Sequence, residues 1–213
     1  MYKDYFKRRI DLLLAVFLVL ILLPISILVV ILLLMTGNQK IFFTQDRLGK
    51  DGRLIRIIKF KTMNDITDKR GKLMPDKDRL TAVGKFLRRT SLDEIPQLLN
   101  VIKGEMSLVG PRPLLTDYLP YYTSHQARRH EVSPGITGWA QINGRNAVTW
   151  PERFELDVWY VENVSLCLDI KILLYTILKT FKREGISSPT SATMERFAPE
   201  PAIPFLRTDK NDE

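Results

Sequence analysis

The stretch IDLLLAVFLVLILLPISILVVILLLM, Ile10 to Met35, decides the architecture of this 213-residue chain. Asp11 is its single charged residue. At about 1.5 Å per residue a helix of this length reaches roughly 39 Å, more than the ~30 Å hydrocarbon core of a bilayer. The apolar run is too long for a signal peptide, and no small-residue cleavage site follows it. We therefore expect a membrane segment that stays part of the protein.

The topology of this segment is open between two arrangements. Pro24 lies near its middle, where the missing N–H favours a kink, and Ser26 could satisfy a freed carbonyl. Basic residues flank the segment on both sides, from Lys3 to Arg9 and from Lys40 to Lys61. Because basic flanks favour the cytoplasm, both ends favour the same membrane face. A re-entrant helix broken at Pro24 satisfies both flanks, and a tilted single span is the alternative.

The composition of the rest excludes several classes of protein. The remaining 187 residues suffice for one domain with its own core. With one cysteine, Cys167, the chain has no internal disulfide framework and no zinc site that needs two cysteines. Two histidines, His125 and His130, argue against a multi-histidine metal centre. The net charge of +8 favours anionic lipid headgroups over nucleic acid, since no nucleic-acid recognition motif is present.

Short elements are expected after the apolar segment. Two β-branched and aromatic runs flank TQDRLGKDGR and predict a β-hairpin over Ile41–Phe43 and Leu54–Phe60. The hydrophobic spacing predicts helices over Leu80–Arg89, Ser91–Lys103, Leu114–Glu131, Phe154–Val161 and Leu168–Lys182, with irregular chain over Ser107–Pro113 and Pro134–Arg145. The apolar face of the last helix could lie in the headgroup layer, but core packing is favoured. Four prolines after Gly185 predict a loosely ordered tail.

The run RRTSLDEIPQ, Arg88 to Gln97, carries the most informative pair of residues. Ser91 and Glu94 fit a helix-capping box, which explains both without any function. Asp93 has no such explanation, and Pro96 fits only the first turn of a helix. A helix that starts near Asp93 would place both carboxylates at its positive end, ionised as a nucleophile or a Mg²⁺ ligand must be.

Four blocks of sequence resemble a known family. They are SLDEIPQLLNVIKGEMSLVGPRP (Ser91–Pro113), FTQDRLGKDGRLIRIIKFKTM (Phe43–Met63), PGITGWAQINGR (Pro134–Arg145) and ELDVWYVENVSLCLDIKIL (Glu155–Leu173). Together they resemble the bacterial sugar transferase family, the monotopic phosphoglycosyl transferases, and in particular its small, PglC-like members. With the apolar segment included, the resemblance covers roughly residues 1 to 185.

The resemblance implies an α+β fold in a mostly helical monotopic membrane protein. Its features would be an N-terminal re-entrant helix broken at Pro24, a β-hairpin and amphipathic helices along the membrane face. Small members often have serine before the proline, where this chain has Leu23. The expected division is a membrane helix over residues 1–36, a catalytic domain over 37–185 and a tail over 186–213.

The resemblance also implies a reaction at the cytoplasmic face of a bacterial inner membrane. A phosphosugar would pass from a UDP-sugar to undecaprenyl phosphate, with release of UMP. Asp93 would form a phosphosugar-aspartyl intermediate, and Glu94 would ligate Mg²⁺. Membrane phospholipids and downstream glycosyltransferases are further expected partners, and nucleic acid is not. The alternatives are sugar transfer with release of UDP, and a non-catalytic scaffold for glycan assembly.

Other side chains follow from the same blocks. Four basic residues would hold substrate phosphate or order the acidic pair, namely Lys59, Arg88, Arg112 and Arg145. Arginine suits such roles because its guanidinium binds phosphate and carboxylate in a bidentate manner. Trp139 and Gln141 could line the site.

Overall fold

The computed structural model describes residues 1–36, 40–144, 148–182 and Phe197. The α-helices are α1 (Lys7–Met35), α2 (Asp76–Arg79), α3 (Ala82–Thr90), α4 (Gln97–Lys103), α5 (Ser124–Ala127), α6 (Trp139–Ile142), α7 (Trp150–Glu162) and α8 (Leu166–Lys182). The strands are β1 (Phe42–Leu48), β2 (Leu54–Phe60), β3 (Ser107–Val109) and β4 (Gly135–Thr137). The predicted class, a mostly helical α+β chain, is therefore confirmed. Arg145 and the predicted tail, apart from Phe197, lie outside the described residues.

Helix α1 is continuous over its 29 residues, and Pro24 lies inside it. The break at Pro24 therefore remains a prediction. Within the described part of the chain, α1 is the helix long and apolar enough to cross a membrane. The hydroxyl of Ser26 donates to the carbonyl of Leu22 at 2.9 Å. The proline frees the carbonyl of Leu20, four residues before it, so the expected compensation by Ser26 at that carbonyl was wrong. Such a bond to the preceding turn tends to bend a helix slightly.

One side of α1 packs against the rest of the chain along nearly its whole length. We call this side the inner face of α1; it carries Asp11, Ala15, Leu22, Val29 and Leu33. The first half joins a core cluster with α4, β3, α7 and α8, and the second half joins a cluster with β2 and α3. The opposite side is uncovered and apolar, with exposed residues that include Leu13, Phe17, Leu20, Ile27, Leu28, Ile31 and Leu34. Helix α1 thus has one side that packs on the core and an opposite side that is exposed and apolar.

The predicted hairpin is confirmed and is longer than expected. Strands β1 and β2 pair antiparallel from Phe42 opposite Phe60 to Leu48 opposite Leu54. Asn100 in α4 is fully buried and fixes this helix to β2, because its amide donates to the Arg56 carbonyl at 2.8 Å and accepts from the Ile58 N–H at 3.1 Å. The contact holds the end of β2 beside the segment that precedes α4.

A short parallel pair, β3 and β4, lies where irregular chain was predicted. The Gly110 N–H donates to Thr137 O at 2.9 Å, and the Gly135 N–H donates to Pro111 O at 3.0 Å. A Cβ at Gly138 would lie 2.1 Å from Gly110 O, so the two segments approach closely only because this position is glycine. The pair fixes the GPRP turn, residues 110–113.

Two helix predictions need correction. The stretch Leu114–Glu131 is not one helix, because Pro120 interrupts it and Thr123 starts a new helix with a capping box to Gln126. The observed pieces are 3-10 turns over Thr116–Tyr121 and Arg128–Glu131, with α5 between them. The second correction concerns Phe154–Val161, which is the central part of the longer helix α7.

Helix α8 confirms the predicted element, and its apolar face is divided between the core and the exposed surface. Its outer face, defined as Ile170, Leu174, Ile177 and Leu178, is 48 to 56% exposed. The side that meets the core carries Asp169. Its carboxylate accepts hydrogen bonds from Lys7 and Tyr2 near the start of the chain and from Tyr160 in α7. Core packing was therefore correct for Ile172 and Leu173, which lie in or against the main core cluster, and wrong for the outer face. An exposed apolar face is typical of a helix that lies at a membrane surface.

Candidate active site

The acidic pair lies in a 3-10 turn rather than in the first turn of an α-helix. Helix α3 ends at Ser91, which adopts a left-handed conformation with φ 57°. The turn covers Leu92–Glu94, and α4 begins only after Pro96. The side chain of Ser91 caps nothing, so the capping box is not formed. A helix start near Asp93 was also wrong, and the seven residues of α4 supply little dipole at this distance.

Glu94 is held by two cations. Its Oε1 accepts from Lys59 Nζ at 2.6 Å and from Arg112 Nη2 at 2.7 Å. The Glu94 and Lys59 side chains are only 16% and 18% exposed. Burial alone would raise the pKa of Glu94, but the charges and hydrogen bonds of Arg112 and Lys59 outweigh it and hold that pKa far below its usual range. Glu94 is therefore a permanently ionised carboxylate in a fixed orientation.

Asp93 has the opposite surroundings. It is 8% exposed, and its carboxylate makes no hydrogen bond to any described residue. Burial and then the neighbouring charge of Glu94 raise the pKa of Asp93 to about 6, against the opposing influence of Lys59, Arg88 and Arg112. At neutral pH such a carboxylate is mostly ionised but poorly solvated, which is a suitable state for a nucleophile.

The turn rests directly on the membrane helix. Leu92 packs in the cluster formed by Val29 and Leu33 of α1, and Ile95 packs against both core clusters. The acidic pair therefore lies beside the C-terminal half of α1, whose other side is the exposed apolar surface.

The other predicted site residues fall into three groups. Lys59 and Arg112 contact the acidic pair, as described. Arg88 donates from Nε to Thr62 Oγ1 at 2.9 Å and acts on Asp93 through its charge. Trp139 stacks on Trp159 with ring centroids 4.6 Å apart. Gln141 faces a small cavity lined by Thr137, Ile142, Thr176 and Lys179, away from the acidic pair.

Sequence reasoning missed a buried arginine group behind Arg112. Arg129 is 2% exposed and donates to Asp157 Oδ2 at 2.7 Å from Nη2 and at 3.1 Å from Nε. The same Nη2 donates to the Arg112 carbonyl at 2.8 Å, so this pair fixes the backbone that carries Arg112. Asp157 lies in one of the four blocks, but nothing in its sequence context identifies Arg129 as its partner.

The carboxylates provide a limited set of metal ligands. Among the described residues no group of three or more histidine, cysteine, aspartate or glutamate side chains is arranged to hold a metal. Both hydrogen bonds to Glu94 use Oε1, which leaves Oε2 for another ligand. Mg²⁺ commonly binds one or two carboxylates together with substrate phosphate oxygens and water. Two adjacent carboxylates beside Lys59 and Arg112 fit that ligand set.

Sequence similarity to known proteins identifies the family. The family model described as bacterial sugar transferase matches residues 2–183. The chain is 53% identical over 191 residues to an uncharacterized sugar transferase, EpsL, of Bacillus subtilis, covering 90% of this chain and 95% of that protein.

Two longer relatives carry more specific names. The UDP-glucose:undecaprenyl-phosphate glucose-1-phosphate transferase of Escherichia coli is 38% identical over 185 residues, covering 82% of this chain and 40% of its own length. The undecaprenyl-phosphate galactose phosphotransferase of Salmonella typhimurium is 38% identical over 199 residues, covering 85% of this chain and 41% of its own. The chain thus spans about two fifths of each of these two relatives.

The described chain thus combines one long apolar helix with two adjacent carboxylates, of which Glu94 is clamped by Lys59 and Arg112. The chain belongs to the bacterial sugar transferase family, and it is an enzyme of the phosphoglycosyl transferase class.

Proposed function

We propose that this protein transfers a sugar phosphate from a UDP-sugar to undecaprenyl phosphate and releases UMP. One observation carries the proposal: Asp93 is buried without a hydrogen-bond partner among the described residues, while its neighbour Glu94 is clamped by two cations. A scaffold protein needs no such pair, since an unpaired buried carboxylate only destabilises a fold. The names of the Escherichia coli and Salmonella relatives support the substrate classes.

In the first step the Asp93 carboxylate attacks the sugar-bearing β-phosphorus of the donor. A bond forms between a carboxylate oxygen and phosphorus as the bond from phosphorus to the bridging oxygen breaks. The electron pair leaves with the bridging oxygen on UMP. Poor solvation of Asp93 aids this attack, because the carboxylate loses little hydration on the way to the transition state.

In the second step the phosphate oxygen of undecaprenyl phosphate attacks the same phosphorus. The bond between phosphorus and Asp93 breaks, and the carboxylate is restored. Lys59, Arg88 and Arg112 surround the pair with positive charge throughout. They oppose the negative charge of both phosphates in a site of low dielectric, where such interactions are strong.

Glu94, with Asp93 close by, would hold Mg²⁺. Bound there together with substrate phosphate oxygens, the ion would supply neutralisation of phosphate charge. The protein's own contribution is to keep Glu94 ionised and fixed, which Lys59 and Arg112 do.

The packing of α1 supports a re-entrant anchor. Both halves of its inner face contact the same globular unit, Ala15 at one end and Leu33 at the other. A helix that crossed the bilayer would carry one of these ends away from that unit. We infer that both ends lie at the cytoplasmic face of the inner membrane, where the basic flanks favour anionic headgroups. Pro24 would mark the deepest point.

The choice of sugar is a narrower proposal. Two relatives are named for glucose and galactose, so we propose a hexose 1-phosphate as the group transferred. Downstream glycosyltransferases would then extend the lipid-linked sugar, because a monosaccharide on a lipid carrier is a substrate for further transfer.

The test is nucleotide release by the full chain in membrane-like particles. Wild type is given Mg²⁺, undecaprenyl phosphate and a panel of UDP-sugars that begins with UDP-glucose and UDP-galactose. We expect release of UMP with one donor, and loss of that release in Asp93→Asn. The matched control is Asp65→Asn, since Asp65 is an exposed carboxylate paired with Lys61 in a loop.

Covalent capture distinguishes the two-step route from direct transfer. With donor labelled in the sugar and no acceptor, wild type retains label after denaturation and Asp93→Asn does not. Full turnover in Asp93→Asn contradicts the role of this residue. Release of UDP instead of UMP contradicts the reaction class, and release of neither nucleotide with any donor favours the scaffold.

A further inference from the structure

Arg47 is a half-buried cation at the end of β1 that neither the predicted chemistry nor the mechanism uses. Its Nη2 donates to Gln45 Oε1 at 2.7 Å. Its Nε is fully enclosed and has no hydrogen-bond partner among the described residues. A buried polar N–H without a partner is costly, which points to a group that the chain itself does not supply.

The charges around Arg47 are also unbalanced. Its charged and phenolic neighbours are Arg112, Tyr118 and Tyr122. Burial and then the repulsion from Arg112 lower the pKa of Arg47 to about 10. No described carboxylate contributes to its surroundings. Two other arginines of the site do have carboxylate partners, since Arg112 pairs with Glu94 and Arg129 with Asp157.

The site as a whole carries excess positive charge among the residues that the structure describes. Its anions are Asp93, Glu94 and Asp157. Its cations are Arg47, Lys59, Arg88, Arg112 and Arg129. An excess of two cations in a partly buried site favours a doubly charged phosphate or diphosphate. Arginine is the side chain best suited to it, through paired N–H···O bonds.

We propose that Arg47 binds a phosphate group of a substrate, next to the phosphate bound by Arg112. The inference rests on the proposed function and adds a binding residue to it. The phosphate belongs either to the diphosphate of the nucleotide sugar or to the lipid acceptor. The two sources share the same phosphate chemistry, and the experiment distinguishes them.

The experiment compares Arg47→Gln with Arg47→Lys and with Arg56→Gln in the full chain. Arg56 is the control because it lies on the same hairpin but is exposed and paired with Asp46. Three quantities are measured for each variant: the KM for the UDP-sugar, the KM for undecaprenyl phosphate, and the dissociation constant of UDP. The last needs no turnover, so it reports on Arg47 even if the proposed reaction is absent.

In Arg47→Gln we expect the donor KM and the UDP dissociation constant to rise about tenfold or more, the loss of one charge-assisted hydrogen bond. Arg47→Lys recovers part of this loss, and Arg56→Gln matches wild type. A rise confined to the acceptor KM assigns the lipid phosphate instead. Unchanged KM values and UDP affinity in a folded Arg47→Gln overturn the proposal. So does a fall in kcat and melting temperature alone that lysine does not rescue, because that pattern indicates a structural arginine.

Discussion

Adjacent carboxylates at the centre of the site have opposite surroundings. Glu94 shares one oxygen between Lys59 and Arg112, so its charge is compensated inside the fold. Asp93 is equally sheltered from water but has no such contact in the described chain. Asp93 and Glu94 therefore differ in ionisation and reactivity, because these properties depend on the charges and hydrogen-bond donors around each carboxylate.

At the residue scale we predict that Lys59→Met lowers turnover at least tenfold. The change removes a charge-assisted hydrogen bond from a nearly buried carboxylate, a loss of about 1.5–3 kcal/mol. Glu94 would then keep Arg112 as its one cation and lose its fixed orientation. Steady-state UMP release with donor and acceptor in excess is the measurement.

Lys61→Met is the control for that variant. Lys61 follows Lys59 by two residues, but its partner Asp65 is 57% exposed, and exposed ion pairs contribute little. Equal losses in the two variants would show that general basic charge matters and that the Glu94 contact does not.

The individual site residues were predictable only in part. Asp93, Glu94, Lys59 and Arg112 lie in motif blocks, and the structure brings them together. Arg47 lies in a block too, but from the sequence alone it is one of several basic residues that follow the apolar segment. Whether a cation is neutralised depends on which carboxylates approach it in three dimensions, and spacing along the chain does not contain that information.

At the scale of elements, the long and strongly patterned segments were predicted correctly. The apolar helix, the hairpin and α8 were all expected from hydrophobic runs and turn residues. The pair β3 and β4 was missed because three-residue strands are too short to show a period of two. The packing of α8 was predicted only in part: Ile172 is buried as expected, but the outer face is exposed and Asp169 is buried among Lys7, Tyr2 and Tyr160.

The element whose topology can be tested most directly is α1. In a Cys167→Ser background, single cysteines replace Tyr5 and Lys40, which flank the helix and are exposed. We expect a membrane-impermeant thiol reagent to label both from the cytoplasmic side only. The inner face of α1 requires this, because it contacts one globular unit at both ends.

A cysteine at Asp51, in the hairpin turn, marks the side of the globular part in the same assay. Labelling of positions 5 and 40 from opposite sides would establish a single span and contradict the re-entrant anchor. Labelling of both from the side opposite to position 51 would contradict the packing of α1 itself.

At the scale of the whole molecule, distant segments are joined by buried polar groups. His130 donates from Nδ1 to the carbonyl of Gly49 at 3.2 Å, which ties the turn of the hairpin to the segment that carries Arg129. Burial and then the charge of Arg129 lower the pKa of His130 from 6.5 to about 4. His130 is therefore neutral in the folded protein over the physiological range.

This pKa predicts a loss of stability in acid. Between about pH 6.5 and pH 4 the unfolded chain binds a proton at His130 and the folded chain does not. The free energy of unfolding therefore falls as the pH falls through this window. The loss is at most about 2–3 kcal/mol and smaller if solvent screens the ring. Melting temperatures in detergent from pH 7 to pH 4.5 should fall less steeply for His130→Gln than for wild type.

His125→Gln is the matched control, because His125 is exposed and its partner Glu155 is 66% exposed. Its melting temperatures should follow the wild-type slope. Other acidic groups titrate equally in all three proteins, so only the difference between slopes is informative. Parallel slopes for wild type and His130→Gln would contradict a neutral, buried His130.

The inner face of α1 has a consequence for how the protein is made. Helix α1 is synthesised before the segments that cover it. Ala15 shares a core cluster with Ile172, and Lys7 pairs with Asp169, residues that are synthesised more than 150 positions later. During synthesis the inner face of α1 therefore stays uncovered until those later segments have been made. Contacts of such high sequence separation form late and slowly. In that interval the exposed apolar side of α1 favours lipid over water, so insertion of the helix can precede the packing of its inner face.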